Sequence, residues 1–176
     1  LSAVRSHRFG FSNVLFASSG DAIGWALAAG DFNADGADDL AFGAPFDECP
    51  VSSQEGCGAV EVLYGQVRKG LANDLPPLLL GQFVAGSADP AEQTDHFGTA
   101  LVACNLNGDP YAALAVGGGG ESLVVSGSTY VRAGLVEIYY GASGGLPPVS
   151  SARLRERGAP GEDDLPTFDA HLGWTL

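Results

Sequence analysis

Asp21-Ala22-Ile23-Gly24-Trp25-Ala26-Leu27 returns 74 residues later as Asp95-His96-Phe97-Gly98-Thr99-Ala100-Leu101. The same offset carries Leu40-Ala41-Phe42-Gly43 onto Leu114-Ala115-Val116-Gly117. Further on, Gly58-Ala59-Val60-Glu61-Val62-Leu63-Tyr64-Gly65 matches Gly134-Leu135-Val136-Glu137-Ile138-Tyr139-Tyr140-Gly141 at an offset of 76, so the second copy has a slightly longer loop. A third copy opens at His171-Leu172-Gly173-Trp174, echoing Ala22-Ile23-Gly24-Trp25. A chain that repeats itself in this way is built from supersecondary units that bury their apolar faces against one another.

Each copy reads as short strands. Val60, Val62 and Tyr64 alternate with Ala59, Glu61 and Leu63, a period of two, and glycines bound the segment at both ends. Leu40 to Phe42 is a short apolar run closed by Gly43-Ala44-Pro45, and Gly24 to Ala29 is a further strand. Fourth strands are expected at Leu78 to Val84 and at Ala152 to Arg155, and an edge strand at Asn13 to Ala17. Twenty-six glycines and ten prolines demand many turns and disfavour long helices. Four short strands in each unit of about 75 residues predict an all-β chain of β-propeller-type blades.

The units resemble FG-GAP repeats, the blades of the integrin alpha-subunit propeller. Phe97-Gly98 (Ile23-Gly24 in the first copy), Gly43-Ala44-Pro45 and the Gly-x-Val-x-Val-x-Tyr-Gly strand carry the resemblance, in the family's order. The second copy departs from it with Gly117-Gly118-Gly119 in place of Gly-Ala-Pro. The expected division is an N-terminal segment at 1–20, a first repeat at 21–94, a second at 95–168, and the first strand of a third at 169–176. Two repeats cannot close a ring, so such blades stay open unless more chain or other copies complete them.

Between the first two strands lies Asp31-Phe32-Asn33-Ala34-Asp35-Gly36-Ala37-Asp38-Asp39. Calcium takes six to eight hard oxygens, and Asp31, Asn33 and Asp35 supply oxygen side chains two residues apart. Gly36 permits the sharp turn. The resemblance adds the carbonyl of Ala37 and the carboxylate of Asp39 as ligands, with Asp38 pointing outward. An EF-hand loop also begins Asp-x-Asn-x-Asp-Gly, but its twelfth position is a bidentate Glu and here it is Phe42. The bland alternative is a polar turn without metal, since Asn, Asp and Gly favour turns. In the second copy the same positions read Asn105, Asn107, Asp109, Tyr111 and Ala113, with Pro110 in place of the turn glycine. One carboxylate remains of three, so a weak or empty site is expected there.

The formal charge of −13 repels nucleic acid and anionic membrane. No apolar run approaches the length of a membrane span. Cys49 and Cys57 lie close together in a Pro/Ser/Gly-rich stretch, where a disulfide would suit an oxidising, extracellular compartment. Cys104 stands where the first repeat has Gly30 and is expected to be small and buried rather than a reactive thiol. Methionine is absent even at position 1, which predicts a processed product or an excised piece. Gly141-Ala142-Ser143-Gly144-Gly145 fits the nucleophile-elbow pattern, yet it leads into Leu146-Pro147-Pro148, not into a helix. His96 and His171 occupy equivalent positions of two copies, which argues for a structural role.

Taken as a set, these features predict a non-enzymatic, calcium-binding extracellular propeller segment with an adhesion or scaffolding role. Its partners would be another protein or further copies of itself. Two alternatives stand beside it: a self-assembling subunit of an extracellular filament, and a non-catalytic repeat region of a secreted hydrolase.

Overall fold

The computed structural model describes residues 20–48, 56–71, 76–87, 90–125, 127–155 and 171–176. The expected edge strand at Asn13 to Ala17 lies outside them. The described residues are all-β, and none of their sheets closes into a barrel.

The first repeat supplies β1 (Leu27–Gly30), β2 (Asp39–Ala44) and β3 (Ala59–Leu63), a small hairpin of β4 (Gly65–Gln66) and β5 (Gly70–Leu71), and β6 (Leu78–Leu80). β1, β2, β3 and β6 form one antiparallel sheet in that order. The second repeat supplies β7 (Phe97–Cys104), β8 (Ala113–Gly118), a hairpin of β9 (Leu123–Val125) and β10 (Ser128–Tyr130), β11 (Leu135–Tyr140) and β12 (Ala152–Arg155). β7, β8, β11 and β12 repeat the order of the first sheet. The added length of the second copy falls in the β8–β11 connection, which holds the β9–β10 hairpin.

The period of two decides what each face meets. Ala28, Ala41, Val60, Val62 and Leu80 of the first sheet are buried and share a core with Phe97, Leu114, Val116 and Tyr139 of the second. The alternate position Leu27 is exposed. Fully burying each large apolar side chain contributes roughly 1.5–3 kcal/mol, so this inter-sheet layer is the main source of cohesion.

The Gly-Ala-Pro of one copy meets the Phe-Gly of the next. A Cβ on Gly43 would overlap the carbonyl oxygen of Gly98, and Gly98 itself has φ +88°. Gly117 approaches Gly173 in the same way, one copy later. The glycines of the repeat are thus paired across blades, where backbone touches backbone. Parallel bridges flank both contacts, Gly58 to Phe97 and Gly134 to Leu172.

Three expectations are corrected. The fourth strand of the first sheet ends at Leu80, because Gly81 to Ser87 turn back on themselves, with Val84 N–H donating to Gly81 O and Ser87 N–H to Val84 O. The segment His171 to Leu176 makes a single bridge at Leu172, not a strand. Leu172 N–H donates to Ala133 O at 3.1 Å and its carbonyl accepts Leu135 N–H at 2.9 Å, but no second strand of a third blade lies among the described residues to pair with it. Cys104 is exposed and its thiol is free. Gly30, its counterpart, is tight against Ala112 and Ala103 of the second sheet, whereas Cys104 faces away from the first sheet at the end of β7. Among the described residues no helix is long and apolar enough to cross a membrane.

Candidate metal centre

The β1–β2 ladder ends on the pair Gly30–Asp39, and the loop Asp31 to Asp38 closes the hairpin. Its side chains organise its backbone. Asp31 accepts the N–H groups of Asp35 (3.1 Å) and Gly36 (2.9 Å). Asn33 Oδ1 accepts Asp35 N–H at 3.0 Å, and Asp35 Oδ1 accepts Ala37 N–H at 2.9 Å. These short-range bonds are why Asp and Asn occupy alternate positions. Ala34 and Gly36 both sit at positive φ, 57° and 88°. A left-handed alanine is strained, and such strain gathers at functional loops.

Asp39 differs from the rest. It is buried, and its carboxylate accepts Gly65 N–H at 2.8 Å and Phe32 N–H at 2.9 Å, tying the loop to the start of β4. Burial pushes its carboxyl up to about 6, against those two donors, and the charges of Asp31 and Asp35 push the same way. Three mutually repelling carboxylates and an amide on one turn are a hard-oxygen donor set that a divalent cation would neutralise. Asp38 is exposed, as expected.

The second loop keeps the frame without the charge. Asp109 N–H donates to Asn107 Oδ1 and Tyr111 N–H to Asp109 Oδ1, each 74 residues from its counterpart. Asn105 Oδ1 takes Gly108 N–H. Ala113 stands where Asp39 makes its two bonds, so only the turn survives.

The other sequence candidates separate cleanly. Ser143 sits in a tight turn in which Ala142 and Gly145 exchange backbone hydrogen bonds, and Leu146 N–H then donates to the Tyr64 hydroxyl. No helix follows it. His96 packs edge-on against Phe46, with ring centroids 5.1 Å apart. His171 packs against Trp174 at 4.9 Å, with Nδ1 3.1 Å from Gly119 O. Cys57 is disulfide-bonded, and its expected partner Cys49 lies outside the described residues.

Buried acids were missed by the sequence reading. Glu61 lines a small cavity with Asp21, Asp47 and Leu79. Glu61 Oε2 and Asp47 Oδ1 are buried without a hydrogen-bond partner. Burial pushes Glu61 up to about 7. Burial, followed by the charge of Asp21, pushes Asp47 up to about 6, although Glu48 N–H pulls it back. The usable signal was the offset itself, since Asp47 lies 74 residues from Glu121 and Glu61 lies 76 from Glu137.

A pH dependence follows. A raised carboxyl pKa means the folded state binds more protons than the unfolded chain between the two values. The contribution of Glu61 is therefore fully present below 4.5 and lost as pH rises through about 7. Glu61→Gln is expected to be about 1–2 kcal/mol more stable than the parent at pH 8, after discounting for solvent screening, and equal to it near pH 4.5. Urea melts across this range measure it. The difference between variant and parent isolates Glu61 from Asp47, and from His96, whose pKa is lowered by burial so that it acts with the opposite sign. A constant difference at all pH values would refute the assignment.

Residues 23–56 match the FG-GAP repeat family. The chain is also similar to phosphatidylinositol-glycan-specific phospholipase D. It is 34% identical to the mouse protein over 159 residues, covering 88% of this chain and 16% of that protein. The rat protein is 35% identical over 130 residues, 70% of this chain and 14% of the relative. The human protein is 33% identical over 162 residues, 88% of this chain and 16% of the relative. The chain thus spans about one sixth of the length of the relatives it matches. The chain carries the family's FG-GAP repeat at residues 23–56, and its two four-stranded sheets of the same order, joined glycine to glycine where Gly-Ala-Pro meets Phe-Gly, are consistent with open blades of such a propeller.

Proposed function

We propose that the chain is a calcium-stabilised, non-catalytic propeller segment of a longer extracellular protein, and that its context is the repeat region of a secreted hydrolase. The observation that carries the calcium reading is the loop, where Asp31, Asn33, Asp35, Ala37 O and Asp39 offer hard oxygens around one turn whose buried carboxyl is raised first by burial and then by the charges of Asp31 and Asp35. Calcium bound there would neutralise the loop and fix the β1–β2 hairpin. The similarity to phosphatidylinositol-glycan-specific phospholipase D over most of this chain supports the hydrolase context. The disulfide at Cys57 supports an oxidising compartment, with Cys49 as the partner. The blades then contribute surface and rigidity rather than chemistry.

Asp35→Ala tests the loop. The variant is expected to melt a few degrees below the parent in calcium, roughly 1 kcal/mol of lost stabilisation, and level with it in chelator. Equal melting in calcium would sink the reading. The hydrolase context is tested by assaying the full-length polypeptide and this chain alone on a phosphatidylinositol-glycan substrate. Turnover is expected only from the former, and turnover by the chain alone would overturn the non-catalytic assignment.

A further inference from the structure

A second group of acids lies away from the loop, where the two sheets join. Asp95 precedes β7 and Glu121 follows β8, and Gly120 N–H donates to Asp95 O at 3.1 Å, holding the two segments together. Glu92 completes the group, and its N–H donates to Asp95 Oδ2 at 2.5 Å. The carboxylates of Glu92, Asp95 and Glu121 each place an oxygen within 4.8 Å of the other two. Asp95 is 1% exposed and Glu121 0%, while Glu92 reaches solvent.

Acids alone would not make a site. Gln82, in the turn after β6 of the first sheet, brings the further observation. Its Nε2 donates to Glu121 Oε2. Its Oε1 is buried without any donor, in a residue only 3% exposed. Turning the amide over would press its oxygen against the carboxylate, so the orientation is fixed by Glu121. This buried acceptor with no donor belongs to the side chain that bonds Glu121, and so adds a fourth hard oxygen beside the three converging carboxylates.

We propose that Glu92, Asp95, Glu121 and Gln82 Oε1 form a second calcium site, which clips the outer edge of the first sheet to the second. The donors are all hard oxygens, without the sulfur or imidazole that zinc favours. Oxygens at about 2.3–2.6 Å from calcium lie up to about 5 Å apart across the ion, so carboxylate oxygens within 4.8 Å of one another can share one. Solvent access at Glu92 gives the ion an entry and leaves room for water ligands.

The test is calcium titration of this chain by calorimetry, with far-UV circular dichroism to confirm folding. Asp35→Ala silences the loop, so one calcium per chain is expected to remain in that variant. Adding Glu92→Gln, on the exposed arm where folding is not at risk, is expected to weaken the remaining site tenfold or more. Adding Glu121→Gln should abolish it. Two results would overturn the proposal: a folded Asp35→Ala chain that binds no calcium, which would mean the acids share protons, or a Glu92→Gln change that leaves the affinity untouched. Should the parent and Asp35→Ala each bind one calcium, lost on Glu92→Gln, the loop reading fails and this site stands.

Discussion

Gly43→Ala is expected to lower stability by about 3 kcal/mol or more, or about 6–12 °C in melting temperature for a chain of this size. The added Cβ has no free direction, because it points at the carbonyl oxygen of Gly98 in the next blade. Neither side can yield cheaply. Gly43 is held in the β2–β3 ladder opposite Val60, and its N–H donates to Ala26 O at 3.0 Å. Gly98 sits at φ +88°, with Ala59 O and the Val60 side chain within 3 Å of where its own Cβ would be. Separating the blades to make room would strip Phe97 from the core that it shares with Val60 and Val62. Gly144→Ala is the control, since nothing lies within 4 Å of a Cβ there, and it is expected to change stability by less than about 0.5 kcal/mol. Equal melts for the two variants would mean that the sheets do not meet through this glycine pair.

That contact shows how far the sequence could be read. The offset between copies and the alternation of Val60, Val62 and Tyr64 locate the strands, because a sheet with one face in a core must repeat every two residues. The loop was legible for a similar reason, since Asp and Asn at alternate positions bond their own turn whether or not metal is bound. What escaped was set by the partner rather than by the strand. Cys104 was read from Gly30, but Gly30 is confined by the following sheet and Cys104 has no such neighbour among the described residues. Glu61 and Glu137 occupy equivalent positions of the two copies and differ in circumstance. Across the ladder Glu61 faces Leu79, while Glu137 faces Arg153. Nothing within the matched strand foretells which glutamate has a cation.

Arg153→Leu is accordingly expected to cost about 3–5 kcal/mol at pH 8, the range for removing one partner of a buried ion pair. Arg153 Nη2 bonds Glu137 Oε1, and the Tyr139 hydroxyl donates to Glu137 Oε2 at 2.8 Å. Glu137 is 2% exposed in the layer between the sheets, so its charge cannot turn to water once the guanidinium is gone. The Tyr139 bond remains but supplies no charge. The substitution would recreate at Glu137 what the first sheet has at Glu61, a buried glutamate opposite a leucine. Two controls separate charge from lost packing. Protonation removes the uncompensated charge, so the loss should be smaller at pH 5 than at pH 8. The double variant Arg153→Leu with Glu137→Gln keeps an acceptor for Tyr139 and should recover at least half of the loss, since it leaves no charge to solvate. Denaturant melts of the parent and both variants at the two pH values decide the matter. A loss that is the same at both and survives the second substitution would assign the role of Arg153 to the packing of its stem on β11.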